Sequence, residues 1–186
     1  MTWLIPVISI IVGVIALDQI SKLLVLKFLY EGEVALIPEV LHFTYVENRG
    51  MAFGMLSDRR WIFMVLSVVG IALVAFYMVK YVKNTLGRVA LSLIIGGGIG
   101  NMIDRVAYGF VVDFIDFCAW PQLWGWVFNV ADAAVCIGAG LFIVELVIEL
   151  IDEIKKEKQR REEKNAPTAS SKEPTEQAPR EEENDG

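Results

Sequence analysis

The chain has 186 residues, of which 55% are hydrophobic, and a formal net charge of −6. Its mean hydropathy of +0.50 excludes an ordinary soluble domain and indicates a polytopic membrane protein. The acidic balance, without a patch of basic and aromatic side chains, does not suggest a nucleic-acid partner.

Four apolar stretches approach the roughly 20 residues that a helix needs to cross a bilayer. The first stretch contains Asp18 and Lys22 and has neither a basic start nor a small-residue cleavage site, so we expect it to be retained rather than removed as a secretory signal. The spacing of Asp18 and Lys22 predicts an ion pair along one helix. The four predicted spans are residues 4–26, 61–81, 89–103 with a polar extension, and 128–151.

The distribution of basic residues predicts the orientation, because cytoplasmic connections carry an excess of Lys and Arg. The short second connection carries Lys80, Lys83 and Arg88, and more basic residues follow the fourth span. The third connection, 107–127, contains no Lys or Arg. We therefore expect both termini in the cytoplasm and the first and third connections on the outer side.

The first outer connection, about residues 32–58, contains three short runs that favour strands: VALI (34–37), LHFTYV (41–46) and MAFGML (51–56). The predicted fold is an all-α polytopic membrane protein with four transmembrane helices and a small extracytoplasmic antiparallel β element, formed by residues 1–151. Residues 152–186 are charged and poor in apolar side chains, which predicts a disordered cytoplasmic tail.

Polar residues inside the third span lie on one helical face. Gly97, Asn101 and Asp104 are spaced at i, i+4 and i+7, so this face must point into the bundle or into water. Gly96 and Gly100 form a GxxxG pair, which permits close helix approach. Asp104 could also pair with Arg105 or cap the helix end.

The depth of the polar side chains predicts a single site near the outer rim. Asp18 lies about 20 Å along the first span, and Asp132 about one turn below the outer end of the fourth. Asn129 is a plausible N-cap that leaves Asp132 in the first turn of its helix. Four other residues are predicted near the same rim: Asn48, Asp104, Arg105 and Asp113.

Asp113 and Asp132 are the candidate catalytic residues. Two neighbouring carboxylates cannot both ionise easily, so they can share one proton. The ionised group can activate water while the protonated group polarises a carbonyl and protonates the leaving amine. Such aspartyl hydrolysis needs no metal or organic cofactor. With one histidine, His42, and two cysteines without metal-ligand spacing, the chain offers little for a zinc site or a Ser-His-Asp triad.

Two other classes of function remain open from the residues alone. Asp18, Asp104 and Asp132 could form the relay of a proton- or ion-coupled transporter. The apolar fourth span below Asp132, AAVCIGAGLFIVELVIEL, speaks against a continuous path to the cytoplasm. A non-catalytic assembly subunit would leave the clustered Asp and Asn residues without a purpose, and the sequence does not imply oligomerisation.

Four blocks in fixed order carry a family resemblance: LDQISKLLV (17–25), VENRGMAFGML (46–56), GGGIGNMIDRVAYGFVVDFIDF (96–117) and FNVADAAVCIG (128–138). In these blocks the chain resembles lipoprotein signal peptidase, or signal peptidase II, the bacterial aspartyl peptidase of prolipoproteins. The similarity covers about residues 4–150 and does not extend to the tail.

The resemblance implies an endopeptidase of the bacterial inner membrane whose substrates are diacylglyceryl-modified prolipoproteins and whose surroundings are membrane lipid. It implies cleavage just before the lipidated cysteine, at the extracytoplasmic face, with Asp113 and Asp132 as the catalytic dyad. The residues implied to orient the dyad or shape the pocket are Asp18, Asn48, Gly50, Asn101, Asp104, Arg105 and Asn129.

Overall fold

The structure, a computed structural model, describes residues 2–30, 32–49, 60–119 and 125–165, without the side chains of residues 60, 63 and 163–165. Four helices and four short strands account for most of this part of the chain, which confirms the predicted fold class. In chain order they are α1 (Leu4–Phe28), β1 (Glu33–Ile37), β2 (Leu41–Asn48), α2 (Arg60–Lys80), α3 (Thr85–Ala107), β3 (Val111–Phe117), β4 (Val127–Phe128) and α4 (Val130–Asn165).

Three of the described helices, α1, α3 and α4, are long and apolar enough to cross a membrane, and α2 contains a shorter apolar segment, Met64–Lys80. Large apolar side chains cover the outer faces of the helices, as with Ile5 and Leu17, which are 73% and 65% exposed. Exposure on this scale is costly in water but not against lipid tails. The surface therefore matches a protein that is embedded in a bilayer.

Glycines set the distance between the helices. A Cβ on Gly96 would lie 2.9 Å from the Cβ of Val14, so this glycine brings α3 against α1. A Cβ on Gly138 would lie 2.6 Å from the carbonyl oxygen of Ala90, so α4 also packs closely on α3. The close helix approach predicted from the GxxxG pair is confirmed at Gly96.

Gly97 makes the closest of these approaches, and we expect Gly97→Ala to destabilise the protein by about 1–3 kcal/mol. The new methyl group would overlap the carbonyl oxygen of Ala131, and this backbone atom can move only if the start of α4 moves with it. Thermal unfolding in detergent measures the effect. Gly13→Ala is the control, because a Cβ at Gly13 meets no atom within 4 Å, and equal destabilisation by both variants would contradict the expectation.

The strands form one antiparallel sheet in the order β1-β2-β3-β4. The runs 34–37 and 41–46 were predicted as strands and are confirmed, whereas the run 51–56 lies outside the described residues. β3 and β4 were not predicted, because residues 107–127 were expected to form a simple connection. Val112 and Phe114 of β3 are buried together with Val25 of α1, which fixes the sheet to the end of the first helix.

The chain divides into two compact units, Met1–Ile148 and Glu149–Gly186. In the second unit the helix α4 continues to Asn165, so the predicted disorder from residue 152 does not describe residues 152–165. Ion pairs one turn apart, Glu157–Arg161 and Lys158–Glu162, support this exposed helix. Residues 166–186 lie outside the described residues, and the domain boundary at residue 151 stays a prediction.

Candidate active site

A buried lysine holds together polar side chains from α1 and α3. Lys22 Nζ lies 2.8 Å from Asp18 Oδ2 and 2.9 Å from Asp104 Oδ2, and it also donates to Asn101 Oδ1 at 3.0 Å. Asp18 and Asp104 are fully buried, and Lys22 is 2% exposed. The predicted Asp18–Lys22 ion pair is confirmed, and Asp104 pairs with this same lysine rather than with Arg105. The single positive charge of Lys22 is thus shared between two carboxylates inside the bundle.

Two further groups complete the hydrogen bonds of these carboxylates. Gln19 Nε2 donates to Asp104 Oδ1 at 2.9 Å and to Asp18 Oδ2 at 3.2 Å. Asp104 Oδ2 also accepts from the backbone N–H of Val112, the second residue of β3, at 3.0 Å. Asp104 therefore connects the end of α3 to the strand that carries Asp113.

Asp18 connects α1 to the beginning of α4. Its Oδ1 accepts from the backbone N–H of Ala131 at 2.9 Å, and this N–H has no partner within the helix because it belongs to the first turn. A Cβ on Gly100 would lie only 2.6 Å from Asp18 Oδ2, so a glycine is needed where α3 passes this carboxylate.

Asp113 lies on β3, where pairing with β2 places it opposite Val46. Its side chain is 2% exposed and accepts two hydrogen bonds from amides, from Asn48 Nδ2 at 2.8 Å and from Asn129 Nδ2 at 2.6 Å. The pKa of the Asp113 carboxyl is raised to about 6, because burial and the negative charge of Asp132 raise it by more than the hydrogen bonds from Asn48 and Asn129 lower it. This carboxyl therefore keeps its proton to an unusually high pH.

Asp132 lies in the first turn of α4 and forms a reciprocal cap with Asn129. The Asp132 backbone N–H donates to Asn129 Oδ1 at 2.9 Å, and the Asn129 backbone N–H donates to Asp132 Oδ2 at 3.3 Å. This is a capping box, with Asn129 as the predicted N-cap. The cap fixes the Asp132 carboxylate while its other oxygen stays available for a second contact.

Two asparagine amides connect the two carboxylates. Asn101 Nδ2 donates to Asp132 Oδ1 at 2.8 Å, and Asn129 Nδ2 donates to Asp113 Oδ1 at 2.6 Å. Asn129 Nδ2 also donates to Asn101 Oδ1, at 3.0 Å. Since Asn101 Oδ1 already accepts from Lys22, its NH₂ group must face Asp132. Lys22 and Asn129 together therefore determine the orientation of the amide that donates to Asp132.

The structure brings most of the predicted site residues into one network: Asp18, Asn48, Asn101, Asp104, Asp113, Asn129 and Asp132. Arg105 is half-buried at its edge, where its Nη1 donates to the Asn101 carbonyl at 3.4 Å. Gly50 lies outside the described residues. Sequence reasoning predicted only a structural ion pair for Lys22 and missed Gln19, which is polar and beside Asp18 but carries no charge.

The architecture is that of a polytopic membrane protein with a pair of carboxylates, Asp113 buried and Asp132 half-buried, where a sheet meets the helix bundle. The sequence model of signal peptidase (SPase) II matches residues 10–148. The chain belongs to the signal peptidase II family and is therefore a membrane-embedded protease of bacterial type.

Curated relatives agree with this assignment. The chain is 46% identical over 134 residues to the lipoprotein signal peptidase of Halothermothrix orenii, covering 72% of this chain and 89% of the relative. It is 48% identical over 134 residues to that of Caldanaerobacter subterraneus subsp. tengcongensis, covering 71% and 89%. For the lipoprotein signal peptidase of Clostridioides difficile the identity is 43% over 132 residues, covering 70% and 87%.

Two solved structures share the fold. Both are described as bacterial membrane enzymes determined by the in meso method, at 2.3 and 1.9 Å resolution. The first has a TM-score of 0.71 and 32% identity and covers 78% of this chain and 89% of its own. The second has a TM-score of 0.70 and 33% identity and covers 76% and 92%.

Proposed function

We propose that the chain is an aspartic endopeptidase that removes the signal peptide from diacylglyceryl-modified prolipoproteins. It cuts just before the lipidated cysteine with water activated by Asp113 and Asp132. The observation that carries the proposal is the pair of carboxylates, one on β3 and one on α4, that the Asn101 and Asn129 amides connect.

The chemistry requires one proton on the pair. The raised pKa of Asp113 favours this state, because one carboxyl stays protonated while the other ionises. The ionised carboxylate takes a proton from a water as the water oxygen bonds to the scissile carbonyl carbon. The protonated carboxyl donates to the carbonyl oxygen, and a proton then passes to the leaving amide nitrogen as the C–N bond breaks.

The surrounding amides position the two carboxylates without neutralising them. Asn48, Asn101 and Asn129 donate hydrogen bonds but carry no charge, so the Asp113–Asp132 pair keeps its negative charge. Lys22 is paired with Asp18 and Asp104 and reaches the dyad only through Asn101. This separation keeps a cation close without forming an ion pair that would fix both carboxyls in the ionised state.

The location of the site suits a substrate that arrives from the bilayer. An apolar signal peptide and two acyl chains can stay in lipid while the scissile bond reaches the sheet end of the bundle. We place this end at the extracytoplasmic face and both termini in the cytoplasm, because Lys80, Lys83 and Arg88 lie at the opposite end.

Transport by a carboxylate relay fits the arrangement less well. Asp18, Asp104 and Asp132 meet in one network instead of lying at successive depths. Glu145, the next acidic residue of α4, is 13 positions beyond Asp132, or about 20 Å along the helix. It accepts a hydrogen bond from Asn84, the N-cap of α3, and so belongs to the other end of the bundle.

Cleavage of a defined precursor tests the proposal. The purified protein is incubated in detergent with a prolipoprotein that bears a diacylglyceryl cysteine and, separately, with the unmodified precursor. We expect mass spectrometry to find a mature chain that begins at the lipidated cysteine, and little product from the unmodified precursor. Cleavage at another bond, equal cleavage of both precursors, or no cleavage by the folded protein would contradict the proposal.

The pH dependence provides a further prediction. The pair loses its shared proton as the pH rises through the pKa of Asp113, so we expect kcat/KM to fall above about pH 6. Asn48→Leu removes a hydrogen bond that favours the ionised carboxylate. The pKa of Asp113 then rises, and the falling limb moves to higher pH by about one unit.

The control for this prediction is Tyr45→Phe. Tyr45 lies on the same strand as Asn48, but its hydroxyl donates to Glu47 and not to the dyad. Its pH profile should match that of the unmodified protein. A profile of the Asn48→Leu variant that stays in place, or moves to lower pH, would show that Asn48 does not tune Asp113.

A further inference from the structure

A cavity with both polar and apolar walls lies at the end of the bundle opposite to the carboxylate pair. It has a volume of about 180 Å³ and lies between the first turns of α1 and α3. Trp3 is 15 positions before Asp18, which separates it from the carboxylate network by about 22 Å along the helix. The residues that line its wall include Thr2, Trp3, Pro6, Val7, Thr85 and Arg88.

Arg88 is held in this cavity but is not neutralised. Its Nε donates to the carbonyl oxygen of Val82 at 3.2 Å, and its guanidinium carbon lies 4.5 Å from the centroid of the Trp3 ring. Among the residues that the structure describes, no carboxylate forms an ion pair with Arg88. A half-buried cation with a fixed plane is thus left without an anionic partner.

The remaining surface of the cavity is amphipathic. The hydroxyl groups of Thr2 and Thr85 provide hydrogen-bonding groups, and the positive end of the α3 dipole adds to the charge of Arg88. Pro6, Val7 and Ile10 form an apolar wall along α1. This combination of charge and apolar surface is complementary to a phosphodiester that is joined to acyl chains.

We propose that this cavity binds the headgroup of an anionic phospholipid, with the phosphate at Arg88 and the first acyl carbons along Pro6, Val7 and Ile10. A soluble phosphate would leave the apolar wall uncovered, whereas a lipid covers it. In the proposed orientation the cavity faces the cytoplasmic leaflet, which is rich in anionic lipids, and basic pockets between helices are known to bind lipid headgroups there. The binding depends neither on peptidase activity nor on the carboxylate pair.

Lipid binding to the purified full-length protein tests the proposal. Native mass spectrometry and thermal unfolding in detergent are followed as dioleoylphosphatidylglycerol or dioleoylphosphatidylcholine is added. We expect the anionic lipid to bind more tightly and to raise the melting temperature as its concentration increases. We expect Arg88→Gln to weaken phosphatidylglycerol binding by about tenfold or more, because a charge-assisted contact to phosphate is lost.

Lys83→Gln is the matched control, since it removes one positive charge from an exposed site just before α3 and is not part of the cavity. Its binding should change by about twofold or less. If Arg88→Gln does not fold, the Thr85→Trp variant tests the proposal in its place. Position 85 is exposed, so it can accept a larger side chain that fills the opening of the cavity. We expect this variant to lose tight binding of phosphatidylglycerol as well.

Three results would overturn the proposal. They are unchanged phosphatidylglycerol binding in the folded Arg88→Gln or Thr85→Trp variant, an equal loss in Lys83→Gln, and an equal shift in melting temperature from soluble glycerol phosphate. The last result would mean that the cavity is a site for a soluble anion rather than for a lipid.

Discussion

Replacing Asp132 by Asn is expected to lower kcat for precursor cleavage by about 10⁴-fold, with Asp113→Asn giving a loss of similar size. An amide occupies nearly the same volume as a carboxylate and can still accept from Asn101, but it can neither take a proton from water nor share one with Asp113. Rates are measured on a lipidated precursor, with melting temperatures in detergent to show that each variant is folded.

The double variant adds a stricter expectation. If the two carboxyls act as one unit, Asp113→Asn combined with Asp132→Asn should lose little more activity than either single variant. Multiplicative losses would show that the two groups act in separate steps and would contradict proton sharing.

Asp116→Asn is the matched control for both variants. Asp116 lies three positions beyond Asp113 on β3, so its side chain points to the opposite face of the strand. It should retain nearly full activity. A loss comparable to that of Asp113→Asn would mean that the charge of the sheet, and not the dyad, controls turnover.

Replacing Lys22 by Met is expected to have the largest effect on stability, about 3–5 kcal/mol. The substitution leaves Asp18 and Asp104 as two buried negative charges without a cation, and removes one of the two donors that orient Asn101. Unfolding in a denaturing detergent such as SDS measures the loss. Activity should fall as well, because Asn101 Oδ1 is then held by Asn129 alone and the amide that donates to Asp132 is oriented less firmly.

The charge explanation can be separated from simple loss of packing. The triple variant Lys22→Met, Asp18→Asn, Asp104→Asn removes all three charges while keeping similar side-chain volumes, so we expect it to recover much of the stability that Lys22→Met loses. If the triple variant is as unstable as the sum of its three substitutions, the lysine contributes packing rather than charge compensation.

The sequence was sufficient to predict the helices, since apolar stretches of this length have few alternatives in a chain of this composition. It was also sufficient to place Asn129 at the start of α4 and to expect an Asp18–Lys22 pair, because both depend on spacing within one helix. The same spacing put Gly97, Asn101 and Asp104 on a common face, and all three are buried.

Structural features that depend on residues far apart in the sequence could not be predicted from local spacing. β3 is a strand because it pairs with β2, about 65 positions earlier, and its run VVDFIDF also fits a connection at a membrane rim. The contact of Lys22 with Asp104 joins two helices that are separated by α2, so spacing along α1 could not show it. The exposed helix beyond residue 151 contains ion pairs one turn apart. The same spacing of charges also occurs in solvated tails, so it did not predict this helix.

The hydrogen bond from Ala131 to Asp18 joins positions that are 113 residues apart. Asp18 leaves the ribosome 113 residues before Ala131, and Ala131 enters the membrane only with α4. A nascent chain with one, two or three inserted helices therefore lacks Asp132 altogether, because this residue belongs to α4. Asp18 in such a chain also lacks the hydrogen bond that it accepts from the backbone of Ala131. On the proposed mechanism, cleavage activity therefore arises only after the last transmembrane helix has been synthesised and inserted.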